Sequence, residues 1–132
     1  MTTKNDMLAY AESRHPLGNL QSSDSKPIYR IFLFEKSNKE LIYEGEQHSG
    51  FPDTGCIMDA GFYYDLDDAI HAMNTNACDI RECIYNTGFI LCHFPGLYEN
   101  CRTDGRMYFV WDAKKKGFYQ QEEPPIFAHM AY

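Results

Sequence analysis

The sequence predicts an α+β fold: an antiparallel sheet of about five strands in the order β-β-α-β-β-β, with one amphipathic helix packed on it. Three observations lead there. Short β-branched and aromatic runs recur between turn-rich stretches. A single segment, "YDLDDAIHAMNTNA", spaces its apolar residues at the helical period. At 132 residues, with 44% hydrophobic and 15% aromatic residues, the chain has the length and apolar content for one domain with a real core.

Along the chain, residues 1–26 join a short apolar patch, Met7, Leu8 and Tyr10, to "HPLGNLQSSDSKP", rich in Ser, Pro, Gly and Asn. Such composition buries little, so a flexible N-terminal arm is expected, followed by a single domain over 27–132. "IYRIFLFE" and "ELIYEGE", separated by the polar "KSNK", read as an antiparallel hairpin. The first of these runs is apolar on both faces, which places it inside the sheet. "GEQHSGFPDTGCIMDAG" has four glycines and no periodicity and reads as a long loop.

Leu66, Ala69, Ile70, Met73 and Ala77 then form one helical stripe. Asp65 before it, with Asp67 and Asp68 in the first turn, suits the free N–H groups and dipole of a helix start, and Asn74 and Asn76 suit its end. "IYNTGFILCHF", stopped by Pro95 and Gly96, reads as the third strand. "RMYFVWDAKKKGFYQQEEP" reads as a hairpin whose turn is closed by Gly117. The tail "PPIFAHMAY" is expected to dock as one helical turn.

Charge and composition remove several function classes. Nineteen acidic against twelve basic residues give a net charge of −7, which repels phosphate backbones and anionic membrane surfaces. The N-terminus lacks a basic run followed by an apolar stretch, and no stretch approaches the length of a membrane span, so a cytoplasmic protein without membrane partners is expected. Five cysteines in such a chain read as free thiols in a reducing compartment.

Several constellations invite chemistry, each with a plainer reading beside it. Structural zinc sites use closely spaced ligand pairs, whereas Cys78, Cys83, Cys92 and Cys101 are widely separated. On a strand, Cys92 and adjacent His93 point to opposite faces, so the two cannot share one ion. No metal and no cofactor are expected; Cys83 and Cys101 are the remaining candidate ligand pair. For thiol catalysis the candidate is Cys56 as nucleophile with His48 as base and Asp53 nearby, all assigned to the long loop. The plainer reading is a loop cysteine beside a surface histidine. Asp65, Asp67 and Asp68 could hold magnesium but suit helix capping better. Lys114, Lys115 and Lys116 among Tyr108, Phe109, Trp111, Phe118 and Tyr119 have the residue types of an RNA-binding strand pair. The net charge opposes that reading, and lysines at a hairpin tip ordinarily form a solvated turn. No phosphate loop, nucleophile elbow or zinc-protease helix is written in the chain.

The stretches Asp65 to Ile70, Asn76 to Glu82, Phe94 to Tyr98, and Glu122 to Pro124, with Trp111 in the aromatic hairpin, resemble a set of small proteins of Gram-positive bacteria and their mobile elements. The resemblance covers about residues 62–125. It implies a fold and a bacterial source; that set has no assigned activity, so it implies no site.

The expectation for function is a non-catalytic interaction module whose aromatic surface, around Tyr98, Tyr108, Trp111 and Tyr119, binds another protein or a second copy of itself. One alternative is an acidic inhibitor of a host nucleic-acid enzyme. The other is a small thiol-dependent enzyme or ligand binder built on loop 47–61.

Overall fold

Strand alternation sorts the apolar residues of this chain onto two faces of one sheet. The computed structural model describes residues 1–14, 26–36, 54–75, 85–95 and 105–124. They form α1 (Lys4–Ser13), β1 (Ile28–Lys36), β2 (Thr54–Tyr63), α2 (Leu66–Asn74), β3 (Thr87–His93), β4 (Arg106–Asp112) and β5 (Gly117–Gln121). The five strands make one antiparallel sheet in the order β2-β1-β3-β4-β5, as an α+β fold requires.

The central strand, β3, is buried at all seven positions, because both of its faces are covered. Ile31, Ile90 and Met107 lie in register across β1, β3 and β4. With Tyr29, Leu33, Cys92, Phe94, Phe109 and Phe118 they form the face that receives Leu66, Ala69, Ala72 and Met73 of α2. On the opposite face Phe32, Phe34, Phe89, Leu91 and Tyr108 form a second buried cluster. β1 pairs on both edges, with β2 and β3, which agrees with its two apolar faces.

The helix α2 starts where its acidic cap predicts. Asp65 is extended, and its side chain accepts the Asp67 N–H at 2.7 Å, which satisfies one of the free donors of the first turn. Its far end is tied to the sheet through Asn74, whose Nδ2 donates to the Ile70 carbonyl and whose Oδ1 accepts the Phe118 N–H at 2.6 Å. In the β4–β5 turn, Asp112 accepts the N–H groups of Lys114 and Lys115, and Lys116 adopts a left-handed φ of 55°.

Two elements differ from the sequence expectation. The partner of β1 is Thr54–Tyr63, so residues 54–61 of the expected loop are a strand. The segment "ELIYEGE" lies outside the described residues, as does the tail beyond residue 124. Residues 4–13, expected within a flexible arm, are a helix with a capping box: Thr3 Oγ accepts the Asp6 N–H, and Asp6 accepts the Thr3 N–H at 2.8 Å. Met7 and Ala11 of this helix are fully buried in the α2-side core. Burial of that stripe against the sheet stabilises a helix too short to persist alone. Residues 15–25 of the arm lie outside the described residues.

Candidate functional site

A β-bulge near the end of β2 builds the most distinctive surface of the sheet. Arg30 pairs with Phe62 while Phe32 pairs with Asp59, so Ala60 and Gly61 together oppose Ile31. The extra residue is accommodated by Gly61, whose φ of 98° lies in the left-handed region that a side chain disfavours. Asp59 braces the bulge from within: its Oδ1 accepts the Gly61 N–H at 3.1 Å, and its Oδ2 accepts Arg30 Nη1 at 2.7 Å.

Beyond the bulge, alternation sends Tyr63 toward the α2-side core and Phe62 and Tyr64 outward. Phe62 is 47% and Tyr64 65% exposed, large values for rings of this size. The two rings meet edge to face at 87°, with centroids 6.1 Å apart. The Arg30 guanidinium lies 5.6 Å from the Phe62 centroid, so this ring stands on a charged, anchored base.

That base continues into the sheet. Arg30 Nε donates to His93 Nε2 at 3.3 Å, while His93 Nδ1 lies 2.9 Å from the Phe94 carbonyl. A carbonyl can only accept, so Nδ1 carries the proton and Nε2 is the acceptor, the neutral tautomer. Desolvation lowers the His93 pKa below its ordinary value, and the nearby Arg30 charge acts in the same direction. The arrangement fixes Arg30, and through it the aromatic pair, without leaving His93 at the surface, where it is only 7% exposed.

Farther along the same face, Arg106 closes the second apolar cluster. Its guanidinium lies 4.2 Å from the Phe89 centroid and makes two 2.8 Å bonds to the Glu123 carboxylate, one from Nε and one from Nη2. Burial raises the Tyr108 hydroxyl pKa to about 12, with the Glu123 charge adding to the effect. On the α2 side, burial first and the adjacent Cys92 second raise Tyr29 to about 12. Both phenols are therefore neutral packing groups near neutral pH.

The residues singled out in the sequence are dispersed. Tyr108 is 3% exposed and belongs to the second core cluster. Trp111 is half-buried, packed edge to face on Phe118 at 5.3 Å. Tyr119 is 42% exposed on β5, with Lys115 Nζ 4.9 Å from its ring centroid. Tyr98, His48, Asp53, Cys83 and Cys101 lie outside the described residues. Cys56 is on strand β2 and not in a loop. Cys92 and His93 do face opposite sides of the sheet: Cys92 is a buried thiol of the α2-side core, and His93 meets Arg30. Among the described residues no group of three or more His, Cys, Asp or Glu side chains could hold a metal ion, and no helix is long and apolar enough to cross a membrane.

The sequence pattern does not single out the Phe62–Tyr64 pair, because the expected loop ends at Gly61 and the helical segment starts at Tyr64, which leaves Phe62 and Tyr63 in neither. The available signal was two aromatics at alternate positions immediately before an N-capping Asp65. A strand that runs straight into a helix exposes one of its faces there. The chain matches no protein-family profile, no curated protein and no solved structure.

Proposed function

We propose that this protein is a small, cytoplasmic, non-catalytic interaction module, and that the Phe62–Tyr64 corner of its sheet is the contact surface. The observation that carries the reading is the exposure of two adjoining rings, 47% and 65%, at the end of the bulged strand β2, the outer strand among the described residues. Aromatic side chains are the commonest anchors of protein interfaces, since each buries a large area at a low cost in conformational entropy. Here the backbone beneath them is preorganised by Asp59 and Arg30, which reduces the ordering cost of binding. The buried histidine, thiol and phenols of the sheet are engaged in packing, which suits a binding protein better than an enzyme.

The test compares the parent protein with Phe62→Ser/Tyr64→Ser. Both positions are exposed, so the double variant should keep the parent melting temperature while losing self-association in sedimentation velocity or losing its bound partner. A parent that is monomeric at all concentrations, and that retains the same partners as the variant, would contradict the proposal.

A further inference from the structure

The brace beneath the aromatic corner includes a group that titrates. We infer that His93 is a proton-operated catch for the β2 bulge: neutral, it holds Arg30 in place beside Phe62, and protonated, it releases Arg30 and loosens the turn at Asp59 and Gly61. The inference concerns the brace alone and stands whether or not the corner meets a partner.

The hydrogen bonds admit only the neutral imidazole. His93 Nδ1 donates to the Phe94 carbonyl at 2.9 Å, and Arg30 directs its Nε–H at His93 Nε2 from 3.3 Å. The nitrogen left to take a proton is therefore the one that accepts from Arg30. Once protonated, Nε2 is a donor facing a donor, and an imidazolium meets a guanidinium across the same 3.3 Å. Arginine cannot give up its own proton, so moving the two groups apart relieves the repulsion. Arg30 Nη1 also donates to Asp59 Oδ2 at 2.7 Å, and Asp59 Oδ1 accepts the Gly61 N–H at 3.1 Å. A shift of Arg30 thus pulls on the carboxylate that braces the bulge, and it moves the guanidinium that lies 5.6 Å from the Phe62 centroid. Gly61 has room to respond, since even an added Cβ would meet nothing within 4 Å.

The surroundings place the release on the acid side of the ordinary histidine value. Burial opposes protonation of His93 most, the Phe94 bond favours it, Arg30 of β1 opposes it and Asp59 of β2 favours it. Among the described residues, β4 brings Arg106 to this face with its charge matched by Glu123. The helix α1 brings Tyr10, with Arg14 5.4 Å from its ring centroid. The catch is therefore closed at neutral pH and opens below 6.5.

An NMR titration of the whole protein tests the inference. The His93 ring protons, the Gly61 amide and the Phe62 ring protons should share one midpoint below 6.5. The Phe118 amide, bonded to Asn74, should not follow it. Through that midpoint the Gly61 amide order parameter should fall from the rigid range, about 0.85, toward the flexible range below about 0.6. Arg30→Met removes the link, so the His93 midpoint should rise and Gly61 should cease to track it. A Gly61 amide that stays rigid as His93 protonates, or that tracks His93 equally well in Arg30→Met, would overturn the inference. So would a His93 that stays neutral until the protein unfolds. The unaltered protein decides the first and last of these outcomes even if Arg30→Met fails to fold.

Discussion

Glu123→Gln is the substitution whose effect the structure specifies most fully. The Arg106 side chain is 0% exposed and that of Glu123 10%, and two 2.8 Å bonds join them beside the apolar ring of Phe89. An arginine cannot shed its proton to escape burial, so removing the carboxylate charge takes a doubly bonded ionic partner away from a cation in a poorly hydrated site. Breaking a buried pair in this way costs about 3–5 kcal/mol. The slight exposure of Glu123 favours the lower end, about 3 kcal/mol. With a urea dependence of about 2 kcal/mol per molar, the unfolding midpoint should fall by roughly 1.5 M with the slope unchanged. The double variant Arg106→Leu/Glu123→Leu should recover much of that loss, because apolar side chains suit a face already built from Phe89, Leu91 and Tyr108. A loss below about 1 kcal/mol for Glu123→Gln, the range of an exposed ion pair, would refute the reasoning.

Three further outcomes can be checked by equilibrium unfolding. Folded His93 binds its proton less readily than the ordinary value of 6.5, so the unfolded chain holds more protons as the pH falls through 6.5 toward the folded value. Stability should therefore drop from about pH 7.5 to about pH 5, and His93→Gln should flatten that part of the profile; an equal slope in both proteins would discount His93. Gly88→Ala places a Cβ 2.8 Å from Leu33 Cδ2, 2.9 Å from Met73 Cε and 3.2 Å from the Phe32 carbonyl oxygen, where Leu33 and Met73 are fully buried. It should cost about 1–3 kcal/mol by overpacking, and a neutral result would show that the α2–sheet contact is looser than described. Lys116→Gly relieves a left-handed φ of 55° at the hairpin tip. It should stabilise the protein by about 0.5–1 kcal/mol, and a loss of stability would mean that the lysine side chain contributes more than its backbone costs.

How much of this architecture the sequence discloses depends on where the determinants lie. The helix α2 is legible because its determinants are local: an Asp65 cap, an acidic first turn and a stripe of Leu66, Ala69 and Met73. The strand β3 is legible because its two-faced apolar run and Pro95 stop are local as well. By contrast, β2 reads "TGCIMDAGFY", with two glycines and an aspartate, poor strand formers in isolation. Its conformation comes from pairing along β1 with a bulge that uses Gly61 and Asp59, a tertiary determinant. For α1 a local signal exists, Thr3 followed by Asp6 ahead of Met7, but the polar stretch after it dominates the composition.

The candidate site divides along the same line. Of the aromatics expected at the surface, Tyr119 is the most exposed described one, since β5 is an outer strand among the described residues. Tyr108 sits on an interior strand with covered faces, and burial there follows from sheet order, which no local pattern encodes. Phe62 and Tyr64 become a pair only after β2 is recognised as a strand that leads directly into α2.

The most direct test of the central claim, that the Phe62–Tyr64 corner is a contact surface, is photo-crosslinking from position 64. Benzoylphenylalanine in place of Tyr64 keeps an aromatic side chain at a 65% exposed site, and the same substitution of exposed Ala113 at the β4–β5 tip serves as the control. The account predicts a discrete adduct from position 64 that is missing from position 113 and is suppressed by Phe62→Ser. No adduct from position 64, or the same adducts from both positions, would contradict it.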